Sequence, residues 1–145
     1  LKNKGFDVIC LDISEKMLEA AREACQNCRY LKGNFIDYDF GNSRFGGIFA
    51  RAVIHVFPRI EAVRFLKKTR GLLTEQGVAH ICTSLHDNSI EGYFPKPGTE
   101  AVRFRRFWEE RDLRDAIKSA RLNIQRCEYY EGVRDKKGIS LLLTR

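Results

Sequence analysis

Asp12 closes a short apolar run, Phe6-Asp7-Val8-Ile9-Cys10-Leu11, and is followed by Ile13-Ser14. A carboxylate at the end of a strand, where the chain turns into a helix, can accept two hydrogen bonds from a ribose diol. Three further places have the same character. Gly33-Asn34-Phe35, Arg51-Ala52 and Thr83-Ser84 each follow a run that reads as a strand. In open α/β sheets ligands bind beyond the carboxyl ends of the strands, so the four ends together mark a candidate pocket. His55 comes just after Arg51-Ala52, and an ordinary pKa near 6.5 suits an imidazole to proton transfer at neutral pH. The competing reading of His55 is a turn residue packed on the next helix. His86 and Tyr93 lie in a long polar stretch that would cover an acceptor, or are ordinary loop residues.

Two other groupings invite a chemical reading. Cys25-Gln26-Asn27-Cys28 has the spacing of a redox pair or half a zinc site. Tetrahedral zinc needs further thiolate or imidazole ligands at close spacing, and His55, His80 and His86 are not clustered. The expectation is therefore no metal, with both cysteines acting as small apolar residues at a helix end. Arg103-Phe104-Arg105-Arg106-Phe107-Trp108 interleaves bases with aromatics. Such a run can bind single-stranded nucleic acid by stacking and phosphate contacts. It reads better as the lead-in to a helix, with aromatics inward and arginines in water.

These residues need elements to position them. Phe6 to Leu11 fits a strand buried on both faces. Ser14 is a good N-cap, Glu15 suits a helix first turn, and Met17, Leu18, Ala21, Ala24, Cys25 and Cys28 fall at helical spacing. Arg29 to Gly33 reads as a strand, Asn34 to Arg44 as a loop, and Phe45 to Ala50 as a buried strand. Pro58 can sit in the first turn of a helix whose inner stripe is Ile60, Val63, Leu66 and Leu73. Gly77 to Thr83 is a further strand, and Ser84 to about Arg105 a polar connection. A helix around Trp108 to Ala120 buries Leu113, Ile117 and Ala120. Leu122 to Tyr130 and Gly138 to Thr144, joined by the polar Glu131 to Lys137, read as an antiparallel hairpin. Alternating strands and helices predict an α/β fold with a mostly parallel sheet.

Length and composition bound the rest. The chain has 145 residues, 43% of them hydrophobic and 31% charged, which predicts one domain over residues 1–145 with a packed core. No apolar run is long enough to span a membrane, and no membrane partner is expected. The net charge of +7 permits an acidic substrate or nucleic acid without requiring either. Five cysteines, an odd number, suit free thiols in a reducing compartment, so the cytoplasm is the expected location.

The order and spacing of these segments resemble class I S-adenosylmethionine-dependent methyltransferases. Gly5 to Ser14 with Met17-Leu18 resembles the family's second strand and following helix. Gly33-Asn34-Phe35 resembles the loop after its third strand, and Phe45 to Val56 its fourth strand and turn. Leu72-Leu73 through Gly77-Val78 and the strand beyond resemble its fifth, and Phe107-Trp108 through Leu122 with the terminal hairpin resemble its last helix and strands. The resemblance implies a Rossmann-like, mostly parallel sheet closed by a C-terminal antiparallel hairpin. It implies S-adenosylmethionine as cofactor and a small-molecule methyl acceptor. Asp12 would hold the ribose hydroxyls, Ile13 and Met17 border the adenosine, Asn34 accept from the adenine amino group, and Phe35 offer an N–H and a flat surface to the adenine. Arg51 and Ala52 would pass the methionine part, and His55 would be the candidate base.

The family's first strand and glycine-rich loop have no counterpart here. Only Leu1 to Lys4 precede the second strand, and no Gly-x-Gly occurs. The expectation is a fragment whose first central strand is missing and which binds the cofactor poorly as given. The alternative is a non-catalytic remnant of the fold that binds a partner protein or RNA. Gly46 stands where the family has Asp, and Arg121 where it has Gly. If Arg121 is left-handed, it costs about 1 kcal/mol.

Overall fold

The computed structural model describes residues 4–131 and 137–145. The chain divides into two compact units between Gly41 and Asn42. In the first, strand β1 (Ile9–Asp12) leads through helix α1 (Glu15–Ala24) to strand β2 (Arg29–Lys32). The two strands are parallel, with Ile9 opposite Arg29 and Asp12 opposite Lys32, a pairing that needs a crossover such as α1. The strand starts at Ile9 rather than Phe6 because β2 is only four residues long and offers no partner further back. Ser14 caps α1: its Oγ accepts from the Met17 N–H at 3.4 Å and its carbonyl accepts from the Leu18 N–H at 3.1 Å. The buried line of α1 centres on Leu18, while Met17 points outward and is 59% exposed. A four-residue strand pair covers only a narrow stripe of the helix, so not every apolar position in it is buried.

The second unit is built on strand β3 (Phe45–Arg51), a 3-10 turn (Ile54–Val56), helix α2 (Arg59–Leu72) and strand β4 (Leu73–Ser84). β3 and β4 are parallel. Strand β8 (Lys137–Thr144) lies antiparallel to β4, and strand β7 (Asn123–Glu131) antiparallel to β8, giving the order β3-β4-β8-β7. The terminal hairpin thus forms as expected, while residues 132–136 of its connection lie outside the described residues. Gly77 permits the irregular start of β4, since a Cβ there would sit 2.8 Å from the Phe45 carbonyl oxygen and 2.9 Å from the Thr74 nitrogen. Ala79, Ile81, Ile139, Leu141 and Leu143 on β4 and β8 form the core with Phe65 and Leu66 of α2 and Leu113 and Ile117 of helix α3 (Glu110–Ser119).

Three expectations are corrected here. β3 is largely exposed, with Ala50 its one buried residue, because β4 is its only paired neighbour among the described residues. The inner stripe of α2 is Ala62, Phe65, Leu66, Thr69 and Leu72, and Ile60 is 73% exposed. Pro58 is the N-cap rather than a first-turn residue. The segment read as a polar connection contains a separate antiparallel hairpin, strands β5 (Ile90–Pro95) and β6 (Val102–Phe107). Its turn is closed by the Lys96 N–H donating to the Ala101 carbonyl at 2.8 Å, with Gly98 at φ +77°.

The run Arg103 to Phe107 is therefore strand, and not all its arginines lie in water. Arg106 is 6% exposed. Its guanidinium donates to Glu91 on β5 and to Asp112 on α3, and lies 4.3 Å over the Trp108 ring. Asp112 also accepts from Arg59 Nε at 2.7 Å and Ser89 Oγ at 2.8 Å. Burial pushes the Asp112 carboxyl up, but the hydrogen bonds from Arg59, Ser89 and Arg106 outweigh it and hold the pKa below the usual value.

Two outcomes follow from this packing. Arg106→Met removes the cation shared by Asp112 and Glu91, while Asp112 keeps Arg59 and Ser89, and urea denaturation should show a loss of about 1–3 kcal/mol. Arg121, just past α3, is left-handed at φ +57°, where its carbonyl accepts from Arg70 Nε at 3.0 Å. Arg121→Gly keeps that backbone acceptor and relieves the strain, so the same measurement should show a gain of about 0.5–1 kcal/mol.

Candidate functional site

In the first unit the carboxyl end of β1 carries the expected turn. Asp12 Oδ1 accepts from the Ser14 N–H at 2.8 Å. This fixes the carboxylate against the start of α1, where the helix dipole favours negative charge, while the second oxygen makes no hydrogen bond among the described residues. Ile13, just before the α1 N-cap, is 70% exposed, and Met17 in the first turn is 59% exposed. The turn therefore offers a fixed carboxylate acceptor near exposed apolar side chains.

Beyond β2, Gly33 donates its N–H to the Asp12 carbonyl at 3.0 Å, so the two strand ends are tied together. Asn34 folds back on its own loop: Oδ1 accepts from the Ile36 N–H at 3.0 Å and Nδ2 donates to Asp37 at 2.9 Å. The side-chain carbonyl keeps a second lone pair for a ligand. Phe35 packs on Phe40 with ring centroids 5.7 Å apart, and Tyr38 packs on Phe40 at 4.9 Å. Asp12, Ile13, Met17, Asn34 and Phe35 thus gather at one end of the β1–β2 pair.

In the second unit Arg51 closes β3 and Ala52 follows it, both exposed. Ala52 is left-handed at φ +56°, and its N–H donates to the Cys82 carbonyl of β4 at 3.0 Å. That hydrogen bond holds a conformation which costs a non-glycine residue about 1–2 kcal/mol. His55 sits in the 3-10 turn next to the fully buried Ile54. Its Nδ1 is buried with no hydrogen-bond partner. Burial, then the nearby charges of Arg105 and Arg103, pull its pKa down to about 4. The imidazole is therefore neutral at pH 7, and it is a weaker base than its ordinary pKa suggests.

The sequence reading missed the β5–β6 hairpin and with it Arg103 and Arg105 as the charges that act on His55, on the hairpin face that also carries Phe94 and Phe107. The signal was the alternation across Val102 to Phe107. His86 joins this group, its ring 4.6 Å from Phe107, whereas Tyr93 lies on the opposite face against Phe104. The sulfurs of Cys25 and Cys28 are 2.7 Å apart, and that contact, more than burial, pushes the Cys28 thiol pKa up. Among the described residues no three His, Cys, Asp or Glu side chains gather as metal ligands.

Comparison with known proteins adds the following. A family model described as "Methyltransferase domain" matches residues 1–77, just over half the chain. No curated protein matches. A S-adenosylmethionine-dependent methyltransferase from Clostridium acetobutylicum superposes with a TM-score of 0.72 at 14% identity, covering 96% of this chain and 75% of that one. One from Methanosarcina mazei gives 0.82 at 16% identity, covering 98% and 83%. The 1,6-didemethyltoxoflavin-N1-methyltransferase of Burkholderia thailandensis, solved with 1,6-didemethyltoxoflavin and S-adenosylhomocysteine, gives 0.78 at 16% identity, covering 99% of this chain and 63% of that one. These likenesses establish the Rossmann-like α/β fold, and with parallel pairs β1–β2 and β3–β4, a closing antiparallel hairpin and a family match over the first 77 residues, the chain belongs to the methyltransferase domain family.

Proposed function

We propose that this chain is a S-adenosylmethionine-dependent methyltransferase domain acting on a small-molecule acceptor. The observation that carries the reading is the β1 turn, with Asp12 fixed by the Ser14 N–H beside the exposed Ile13 and Met17. Asp12 would hold the ribose hydroxyls of the cofactor through its second carboxylate oxygen. Ile13 and Met17 would lie against the adenosine. Phe35 would meet the adenine, and Asn34 would accept from its amino group with the remaining lone pair. Arg51 and Ala52 would flank the methionine part. The bound cofactor supplies an activated methyl group, so that the protein's work is mainly positioning.

His55 is the proposed base. Being neutral at pH 7, it can take the acceptor's proton as the new bond forms, and a pKa near 4 releases that proton quickly to water. The small-molecule acceptor is supported by the neighbour from Burkholderia thailandensis, which was solved with a small molecule bound. Five cysteines outside any disulfide favour the cytoplasm, and among the described residues no helix is long and apolar enough to cross a membrane.

Calorimetric titration of the protein as its cell makes it, with S-adenosylmethionine, tests the cofactor assignment. Asp12→Ala should weaken binding by about 1–3 kcal/mol, or roughly 5- to 150-fold; unchanged affinity removes Asp12 from the site. The neutral state of His55 is read from stability. Its folded pKa lies below the unfolded value of 6.5, so between pH 6.5 and 4 the unfolded chain binds more protons. Its contribution is therefore complete above pH 6.5 and lost as pH falls toward 4, by up to about 3 kcal/mol. Urea midpoints should show this slope in the parent protein and a shallower one in His55→Gln.

A further inference from the structure

The two faces of the β5–β6 hairpin differ in charge balance. Strand residues alternate between faces, and the register pairs Glu91 with Arg106, Gly92 with Arg105, Tyr93 with Phe104 and Phe94 with Arg103. One face therefore carries Glu91, Tyr93, Phe104 and Arg106. Its arginine is matched by Glu91 and Asp112. The other face carries Gly92, Phe94, Arg103, Arg105 and Phe107, with two cations and no acid. Among the described residues no carboxylate pairs with Arg103 or Arg105.

This imbalance is costly. Burial, and then the charge of Arg103, both work against the charged form of Arg105. Arg103 is exposed and Arg105 half-buried, whereas Arg59 has Asp112, Arg106 has Glu91 and Asp112, and Arg114 has Glu110. The same two arginines bear on His55, whose buried Nδ1 has no partner. Beside the charges lies an aromatic surface. Phe94 and Phe107 meet edge to face at 4.9 Å, and the His86 ring lies 4.6 Å from Phe107. Two unpaired guanidiniums next to aromatic rings suit a ligand with an oxyanion at one end and a flat ring at the other, since the guanidinium fork matches both carboxylate and phosphate.

We infer that this face is the acceptor subsite, and that the acceptor is a planar molecule bearing a carboxylate or phosphate, held by Arg103 and Arg105 with its ring on Phe94 and Phe107. The word acceptor rests on the methyltransferase reading above; the anion preference does not. Its role is specificity: a bound oxyanion offsets the charge of the pair, whereas a neutral isostere leaves both cations unmatched.

The test is calorimetric titration of the whole protein with benzoate, phenyl phosphate and benzamide, alongside S-adenosylmethionine. At least one of the two anions should bind at least tenfold tighter than benzamide, and the double variant Arg103→Gln/Arg105→Gln should lose that preference while its cofactor affinity stays unchanged. The anion that wins tells carboxylate from phosphate. Equal affinity for all three probes overturns the inference, as does a preference that survives in the folded double variant. If the double variant does not fold, Arg105→Gln alone is read in the same way. A parent protein that shows the arginine-dependent preference but binds no S-adenosylmethionine would sink the cofactor reading and leave this one standing.

Discussion

Arg106 is the residue on which the arrangement of the second unit turns. Its guanidinium joins β5 through Glu91 and α3 through Asp112, and Arg59 draws the start of α2 onto the same carboxylate. A buried ion pair of this kind is a poor source of stability compared with apolar packing of equal volume. It is a strong source of geometry, because each partner is costly once the others are misplaced. In a strand, turning residue 106 inward sends 105 and 103 to the opposite side. The ion-pair network therefore decides which face of the hairpin confronts His55, and with what charge.

The neutral His55 owes part of its state to that choice. Burial first, and then the charges of the two unpaired arginines, keep it from holding a proton at neutral pH. It is kept as a neutral imidazole, the form in which it can accept a proton. The same cations that weaken it as a base create a place for a negative group. Removing the arginines would raise the basicity of His55 and lose the anion site together, so the two properties are coupled through one electrostatic environment.

Backbone strain marks the strand ends as well. Ala52 is left-handed immediately after β3, and its N–H is held by the Cys82 carbonyl. At the end of β1, Asp12 spends one oxygen on the Ser14 N–H and keeps the other. In both units the residues at the strand ends are committed on one side by the fold and left open on the other.

The sequence alone determined the local features. Ser14 as a cap, the β1–α1–β2 order, the terminal hairpin and the placement of Asp12 at a strand end all follow from short-range periodicity and from the hydrogen-bonding preferences of single residues. Family resemblance then suggested the proposed site residues along the chain. What the sequence left open was long-range. The phase of α2, with Phe65 and Ala62 inward and Ile60 outward, is set by the elements it packs against, which are distant in the sequence. The β5–β6 hairpin was hidden by polar and proline residues that read as a loop, because its strands are held by pairing with each other and by the Arg106 contacts to Glu91 and Asp112. The fate of three nearly adjacent arginines shows the limit most clearly. Only the tertiary structure decided that Arg106 is buried and paired while Arg103 and Arg105 face His55 unpaired, since a charge's energy is set by its distance to other charges and to water, and sequence spacing fixes neither.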